Sequence, residues 1–349
     1  MATHTQGGAK SGSGRALIVG TDCSGIDAPI WALERLRVPY KYAFGSDIDP
    51  NSHKVIGMQR HKRMHPQTMY TDMTARDHSA LPHLDVYVSG FPCQPFSNYG
   101  RRKGHDDPRA KVMDHVIRTI RATRPKIFVL ENVATLANQE LLFEPVRAAL
   151  CEFDAEYEIH ISTIQSEDFG IPHRRNRMYI LGLLRSEKKP CHIARWPPQR
   201  RRTYRTPNIE KVLLPDDSPL VPPEAFVRPQ NETFAKIHAK IREAGGDPDA
   251  EPWIFATRTS HDFSHAIFGI SPTLTASHAS HMWVTSRRRY LVPRELCRLQ
   301  GFPDSFVHHP SRSVCGKQLG NSMSVHVVAA ILETALASIG YPVPTRRRR

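Results

Sequence analysis

Cysteine is scarce in this chain and is not arranged for metal binding. The 349 residues include six cysteines, no two of them form a Cys-x-x-Cys pair, and the closest two, Cys297 and Cys315, are 18 positions apart. This spacing predicts neither a zinc cluster nor a disulfide framework. His278 and His281 have no cysteine or acid at ligand spacing, which favours a polar loop over a metal site.

Long apolar runs are also missing. No apolar stretch approaches the ~20 residues that a membrane span requires, and residues 1–13 lack the apolar segment of a signal peptide. We therefore expect a soluble protein that stays inside the cell. It would be nuclear if its source is eukaryotic and cytoplasmic if its source is bacterial or viral.

Acidic residues are the minority among the charged ones. The chain has 48 lysines and arginines against 34 aspartates and glutamates, a formal net charge of +14. The basic residues cluster at 101–103, 200–202, 287–289 and 346–349. One such cluster is as typical of a solvated surface as of a binding site, but the four together predict a polyanionic partner.

The first half of the chain alternates short apolar runs with amphipathic ones. Strands are predicted at 16–19, 42–44, 85–89, 126–130, 157–164 and 178–184, and helices near 31–36, 51–60, 113–123 and 141–153. Repeated alternation of this kind predicts an α/β fold with a doubly wound, mostly parallel sheet and right-handed crossovers.

The composition changes at about residue 186, where Pro, Arg and Asp become frequent and periodicity weakens. We predict a flexible N terminus at 1–14, a large first lobe at 15–185 and a smaller, loop-rich lobe at 186–305. Segment 306–340, with helical spacing at 324–337, would pack back on the first lobe, and 341–349 would be a basic tail. Loop-rich lobes are where binding specificity usually lies.

Cys93 lies in the octapeptide Gly-Phe-Pro-Cys-Gln-Pro-Phe-Ser, which directly follows the predicted strand 85–89. Open α/β sheets bind ligands at the carboxyl ends of their strands. A cysteine held between two prolines is poorly placed for core packing and well placed as a nucleophile. Most cysteines are simply small buried hydrophobes, so the rest of the chain has to support this hypothesis.

Acidic residues follow other predicted strands. Asp47 and Asp49 end the second strand, and Asp72 follows a candidate strand at 69–71. Carboxylates at such positions can accept hydrogen bonds from ribose hydroxyls. The turn 20–27 is neither a G-x-G-x-x-G fingerprint nor a phosphate loop. The three acids therefore indicate an adenosine-containing cofactor without a pyrophosphate, and S-adenosylmethionine fits that description.

Glu131 follows the predicted strand 126–130 with no cation close to it in the sequence. Burial there would favour the protonated carboxyl, which could donate a proton at neutral pH. Capping of the next helix is the alternative. Arg175 and Arg177 alternate and so point the same way in an extended segment. They could orient a carbonyl or a phosphate, or form a plain surface pair.

Six motifs occur in a fixed order: Ser24-Gly-Ile26, Pro92-Cys-Gln94, Glu131-Asn-Val133, Pro172-x-Arg-Arg-x-Arg177, the segment 294–304, and Gly320-Asn-Ser322. In content and order they resemble those of the cytosine-C5 DNA methyltransferases, over about residues 15–337. The resemblance implies a Rossmann-like methyltransferase fold with a cofactor-binding and catalytic first domain and a small target-recognition domain. S-adenosylmethionine would be the cofactor and double-stranded DNA the partner, and we expect a monomer without bound metal.

The resemblance also implies roles for individual residues. Cys93 would be the nucleophile, Glu131 would act at N3 of the base, and Arg175 and Arg177 would orient its O2 and the catalytic loop. The implied cofactor pocket consists of Cys23, Ser24, Gly25, Ile26, Asp47, Ile48, Asp72, Met73, Pro92, Asn321 and Ser322. The implied DNA contacts are Ser97, Arg101, Arg109, Thr273, Thr275, Ser277, Arg287, Arg288 and Arg289.

These DNA contacts fall in two regions of the chain. Residues 97–109 would form a mobile loop that closes over a flipped base, and 271–276 would begin a loop that enters a groove. Residues 277–283 would then lie near bases and 287–289 near phosphates.

The motifs depart from the family pattern at a few positions. The usual Gly pair of the first turn is Asp27-Ala28, its leading acid is Thr21 with Asp22 one place later, and the usual Gln of the arginine motif is His173. Two alternative functions compete with DNA methylation. The tRNA-methylating branch carries a Cys-Phe-Thr signature in the smaller lobe, which is absent here. A catalytically silent DNA-binding scaffold would not need all four catalytic residues.

Overall fold

A seven-stranded sheet organises the first lobe of the computed structural model, which describes residues 14–92, 110–137, 140–185, 196–198, 208–259 and 265–344. Its strands are β1 (Leu17–Asp22), β2 (Tyr40–Ser46), β3 (Thr68–Tyr70), β4 (Val86–Ser89), β5 (Ile127–Val133), β6 (Tyr157–Gln165) and β7 (Asn176–Leu184). Their spatial order is β3-β2-β1-β4-β5-β7-β6. Neighbouring strands are parallel except for β7, which is antiparallel to both β5 and β6. The predicted doubly wound, mostly parallel α/β fold is therefore confirmed.

Helices cover both faces of this sheet. They are α1 (Ala28–Leu36), α2 (Pro50–Gly57), α3 (Ala110–Thr123), α4 (Ala134–Ala137) and α5 (Glu140–Cys151), and α9 (Val325–Ser338) returns from the end of the chain to pack against α1. Strand β4 has apolar side chains on both faces of the sheet, and helices bury both. Val86 and Val88 join the core that contains α1 and α9, whereas Tyr87 joins the core that contains α3 and α5. Such strands have continuous apolar sequences because both of their faces are buried.

The smaller lobe contains regular structure that the sequence pattern did not reveal. Strands β8 (Trp253–Ala256), β9 (Ile267–Phe268), β10 (Met282–Val284) and β11 (Arg289–Tyr290) form an antiparallel sheet in the order β11-β10-β8-β9. Helix α6 (Glu232–Glu243) packs on it through Phe234, Ile237 and Ile241. Strands of two to four residues are too short to show an alternating pattern. The predicted domain boundaries stay a prediction.

Two further helices, α7 (Pro293–Leu299) and α8 (Arg312–Asn321), connect the small lobe to α9. Within the described ranges, the stretch Arg312–Ser338 is long and apolar enough to cross a membrane by length and composition, and 72% of its most apolar window is buried inside the protein. Burial of this extent is also what the core helix of a water-soluble protein shows.

Candidate active site

A cavity of about 720 Å³ lies at the carboxyl ends of the parallel strands and is closed on one side by α8. Most of the predicted catalytic and cofactor-pocket residues line it: Cys23, Gly25, Asp47, Ile48, Asp72, Met73, Pro92, Glu131, Arg175, Arg177 and Asn321. Ser24 and Ser322 line a small adjoining pocket. Cys93, Ser97, Arg101 and Arg109 lie outside the described residues, although Pro92 brings the chain to the cavity wall directly before Cys93.

Ile26 is the one predicted pocket residue whose side chain is turned away from the cavity. It is buried and belongs to the hydrophobic core beneath α1. The prediction of a cofactor contact is therefore wrong for this side chain, because it faces α1 and the core instead of the cavity. The motif nevertheless needs an apolar residue there to hold the turn against the sheet.

The turn after β1 is held in shape by Asp47. Cys23, Gly25 and Asp27 all have positive φ angles, of 49°, 56° and 60°. The Gly25 N–H donates to Asp47 Oδ2 at 2.8 Å, and the Asp49 N–H donates to Asp47 Oδ1 at 2.8 Å. One carboxylate thus ties together the turns that follow β1 and β2, both of which line the cavity.

The other two acids of this rim also support local turns. Asp49 caps α2, since its Oδ1 accepts from the Asn51 N–H at 2.9 Å. Asp72 Oδ1 accepts from the backbone N–H and the hydroxyl of Thr74, both at 2.8 Å. Between Asp47 and Asp49, Ile48 is 81% exposed on the cavity wall. The rim therefore presents carboxylates beside an exposed apolar side chain, a combination suited to a ribose and a flat base.

A buried polar network underlies this turn, and no sequence motif pointed to it. The Tyr42 hydroxyl donates to Asp27 Oδ1 at 2.8 Å, and Thr21 Oγ1 lies 2.6 Å from the Tyr42 hydroxyl. Asp27 Oδ2 has no hydrogen-bond partner within the described ranges. Burial raises the pKa of Asp27 to about 8, although hydrogen bonds from Tyr42 and Thr21 oppose this shift. The folded state therefore favours the protonated carboxyl of Asp27.

Asp22, the acid next to the usual family position, is part of the core. It pairs with Arg76 through two contacts of 2.7 and 2.5 Å, and neither side chain is exposed beyond 2%. The Tyr87 hydroxyl also donates to it, at 2.8 Å. A carboxylate held this way stabilises the strand ends and is not available to a ligand.

Glu131 is the acid at the back of the cavity. It is 7% exposed, and its Oε1 lies 3.4 Å from Arg177 Nε and 3.8 Å from an Arg175 Nη. Both cations come from the start of β7 or the residue directly before it. Strand β7 runs beside β5, and neither cation is close to Glu131 in the sequence. Both distances are too long for strong hydrogen bonds, and Oε1 has no hydrogen-bond partner in the part of the chain that the structure describes.

Arg175 connects three elements around the cavity. One of its Nη atoms donates to the carbonyls of Leu274 and Gly320, each at 3.1 Å. Burial, together with the charge of Arg177, lowers the pKa of Arg175 to about 10. His173, where the family usually has Gln, accepts a hydrogen bond from the Leu274 N–H at 3.0 Å. Burial lowers the pKa of His173 well below its ordinary value, so it is neutral.

The residues predicted to contact DNA divide into accessible and inaccessible ones. Thr273 Oγ1 donates to the Arg174 carbonyl at 2.6 Å, and Thr275 Oγ1 lies 3.2 Å from Oγ of the exposed Ser277. Arg288 is 73% exposed. Arg287 lies 2.6 Å from Glu210, so an acid already neutralises part of its charge.

The prediction that Arg289 contacts DNA is wrong. Its side chain is fully buried, 2.8 Å from Glu295 and 2.8 Å from Asp216, and it also donates to the Leu214 carbonyl. A buried guanidinium has to be paired, and here the pair joins β11 to α7. It cannot reach a phosphate in this arrangement.

The fold and this site define a class. A mostly parallel sheet with a reversed β7 next to the edge, and a cavity at its carboxyl ends rimmed by aspartates, is a Rossmann-like methyltransferase arrangement. The structure of S. pombe Dnmt2 methyltransferase superposes with a TM-score of 0.64 at 19% identity, covering 93% of this chain and 100% of that one. A putative DNA modification methyltransferase of an E. coli prophage gives 0.65 at 21% identity, covering 93% and 100%.

Comparison of sequences identifies the family within this class. The family model for C-5 cytosine-specific DNA methylase matches residues 23–337. The chain is 28% identical over 308 residues to Type II methyltransferase M1.ScrFI of Lactococcus lactis subsp. cremoris, covering 85% of this chain and 72% of that protein. It is 29% identical over 282 residues to M.HhaI of Haemophilus parahaemolyticus, covering 77% and 81%. The chain belongs to the C-5 cytosine-specific DNA methylase family.

The family, the fold and the enzyme class predicted from the motifs are thereby confirmed: this is a DNA (cytosine-5-)-methyltransferase. Among the described residues there is no group of three or more His, Cys, Asp or Glu side chains that could hold a metal ion.

Proposed function

We propose that the protein methylates C5 of a cytosine that is flipped out of double-stranded DNA, with Cys93 as nucleophile and Glu131 as proton donor. The observation that carries this proposal is the cavity. It brings Glu131, Arg175 and Arg177 to the wall that also holds Pro92, directly before Cys93, and it places the aspartate rim a short way along the same sheet edge.

The rim fits S-adenosylmethionine. Asp47, Asp49 and Asp72 offer carboxylate oxygens to ribose hydroxyls, the exposed Ile48 offers apolar contact to an adenine, and Asn321 closes the cavity from α8. The turn after β1 has no phosphate-binding motif, in keeping with a cofactor that has no pyrophosphate. When bound, this cofactor supplies an electrophilic methyl group, which passes to C5 of the target ring.

The chain's own residues have to make C5 nucleophilic. The Cys93 thiolate adds to C6 and forms a sulfur–carbon bond, while Glu131 delivers a proton to N3. The ring becomes an enamine, in which C5 is nucleophilic. After C5 has been methylated, loss of the C5 proton to a base and expulsion of the thiolate restore the aromatic ring, and Glu131 recovers its proton from N3.

Glu131 is placed for this proton transfer. Its Oε1 is buried and faces two guanidiniums at 3.4 and 3.8 Å without a hydrogen-bond partner in the described ranges. An incoming base can therefore bond to this oxygen without breaking an existing strong hydrogen bond. Arg175 and Arg177 remain beside it to hold the O2 of the base.

The target base has to leave the helix before these groups can reach it, because both faces of the ring are stacked in duplex DNA. The cavity opens between the sheet edge and α8. We propose that double-stranded DNA lies across this opening and that the enzyme acts as a monomer.

The test is incubation with labelled S-adenosylmethionine and duplex DNA of varied sequence, followed by mapping of 5-methylcytosine at base resolution. Transfer to specific cytosines is expected. Transfer to tRNA without transfer to any DNA would overturn the proposal in favour of RNA modification.

Two further measurements test the role of Cys93. Cys93→Ser should abolish turnover and leave cofactor binding largely intact, whereas Cys151→Ser, at an exposed free cysteine, should be fully active. DNA that contains 5-fluorocytosine should trap a covalent adduct at Cys93. An adduct on another cysteine would refute the assignment.

A further inference from the structure

The aromatic ring of Tyr290 is the centre of a basic cluster on the small lobe. The Arg312 guanidinium lies over this ring, 4.8 Å from its centroid. The ring of His281 makes an edge contact at 6.5 Å. The Tyr290 hydroxyl lies 3.2 Å from Thr257 Oγ1, and Arg258 is the next residue along the chain. Arg312 and His281 therefore contact this ring directly, whereas Arg258 follows the residue that lies beside its hydroxyl.

Among the described residues, this cluster has no acidic partners of the kind that other arginines of the small lobe have. Arg287 pairs with Glu210, and Arg289 pairs with Glu295 and Asp216. By contrast, no carboxylate lies within ion-pair distance of Arg258 or Arg312 among the residues that the structure describes.

The Arg312 guanidinium has N–H donors without a strong hydrogen bond to the described residues. It donates only a long bond, 3.4 Å, to the Leu291 carbonyl, and its buried Nε has no partner in the described ranges. Burial and the charge of Arg258 both lower the pKa of Arg312. Burial, followed by the charges of Arg258, Arg312 and His278, lowers the pKa of His281 to about 4, so His281 is neutral at pH 7. Two guanidiniums that no carboxylate of the described residues neutralises favour an anionic ligand.

The cluster is fixed relative to the segment 275–281. Helix α8, which begins at Arg312, approaches this segment so closely that a Cβ on Gly316 would lie 2.8 Å from the Ser280 nitrogen. A Cβ on Gly320 would lie 2.2 Å from the Thr275 carbonyl carbon. These glycines allow direct backbone contact, so the arginine at the start of α8 keeps a constant position beside the segment.

We propose that Arg312, which lies over the Tyr290 ring, and Arg258, which follows Thr257 beside the Tyr290 hydroxyl, bind backbone phosphates of the DNA strand that lies beside residues 275–281. This inference rests on the proposed function and replaces Arg289 with two other arginines, one in the small lobe and one at the start of α8. Phosphate contacts position a protein on DNA without reading its sequence. Arg258 and Arg312 would therefore set affinity and register, whereas the exposed side chains of 275–281 would be free to read bases.

The test is the salt dependence of duplex DNA binding by the full chain, for wild type, Arg258→Gln, Arg312→Gln and the double variant. Removal of one arginine–phosphate interaction should reduce the slope of log affinity against log salt concentration by about 1. Each single variant should show this reduction for every duplex sequence, and the double variant about twice as much. The KM for DNA should rise while kcat at saturating DNA stays close to that of wild type.

Arg242→Gln is the matched control, because Arg242 is an exposed arginine of the same lobe that already pairs with Asp249 at 2.7 Å. Its slope should equal that of wild type. Arg258 is exposed, so Arg258→Gln carries the test even if Arg312→Gln lowers the melting temperature. Unchanged slopes for Arg258→Gln and the double variant, in an enzyme whose wild type methylates DNA, would overturn the inference. Absence of DNA methylation by wild type would instead overturn the proposed function.

Discussion

Glu131 on β5 and Arg177 on β7 meet diagonally across an antiparallel strand pair, with Oε1 of Glu131 3.4 Å from Nε of Arg177. This meeting follows from the direction of one strand. Parallel strands all end at the same edge of a sheet, and an antiparallel strand begins at that edge. The residues that start β7 therefore stand beside those that end β5, although 46 positions separate Glu131 from Arg177 in the chain.

Glu131→Gln should slow methyl transfer by about 10²–10⁴-fold, the usual contribution of a positioned proton donor. The amide keeps the size of the carboxyl but cannot deliver a proton to N3. Single-turnover rates on duplex DNA measure the effect, and the dissociation constant for S-adenosylmethionine should not change. Glu144→Gln, at an exposed glutamate of α5, is the control and should match wild type. A Glu131→Gln enzyme as fast as wild type would remove this residue from the chemistry.

Arg175→Lys should lower the free energy of unfolding by about 1.5–3 kcal/mol, the cost of losing hydrogen bonds made by a charged group. A lysine has one nitrogen and cannot bond to the carbonyls of both Leu274 and Gly320 while staying beside Glu131. Urea unfolding measures the change. Arg174→Lys, at the neighbouring exposed arginine, should change stability by less than about 0.5 kcal/mol. Equal losses of unfolding free energy for the two variants would show that the hydrogen bonds of Arg175 to Leu274 and Gly320 do not stabilise the fold.

Asp27→Asn should make the protein relatively more stable than wild type as the pH rises. The pKa of Asp27 is raised to about 8 in the folded state from an ordinary 3.8. The stability it contributes is fully present below the unfolded pKa and is lost as the pH rises through the folded pKa. Wild type should therefore lose stability between about pH 4 and pH 8 through this group, whereas the asparagine variant does not titrate.

The measurement for Asp27 is the difference in melting temperature between variant and wild type across that pH range. Asp154→Asn, at an exposed aspartate, supplies the baseline. If the difference stays constant with pH, Asp27 does not hold its proton in the folded state.

Arg289→Gln should cost about 3–5 kcal/mol of stability, because it leaves the carboxylate of Glu295 buried without its partner. The adjacent Arg288→Gln, at a side chain that is 73% exposed, should cost less than about 0.5 kcal/mol. Chemical denaturation compares the two. Comparable small losses would mean that Arg289 is not the internal ion pair that joins β11 to α7.

The motifs predicted which residues belong to the site, but not which of them contact one another. Glu131, Arg175 and Arg177 could be assigned together because each belongs to a short, ordered motif. That two guanidiniums would lie beside Glu131 could not be read from the chain, since their proximity depends on β7 running against β5. Asp27 stands out in the sequence only as a departure from a glycine pair. Its raised pKa follows from burial, which outweighs the opposing hydrogen bond from Tyr42, a residue on another strand.

The small lobe shows more clearly what cannot be predicted from the sequence. Arg287, Arg288 and Arg289 are one run of identical side chains, and nothing local distinguishes them. In the structure Arg288 is exposed, Arg287 is paired with Glu210, and Arg289 is fully buried. The alternation of side chains along β11 and the position of Glu295 on α7 decide which arginine turns inward.

The sequence alone determined the α/β fold, the family and the residue types of the cavity, because apolar periodicity and short motifs are local properties of the chain. The tertiary structure alone decided which of those residues touch. It placed two cations beside Glu131, raised the pKa of Asp27 through burial, buried Arg289 and placed Arg312 over the ring of Tyr290. Charge and protonation depend on distance and burial, and both arise only when segments far apart in the sequence are packed together.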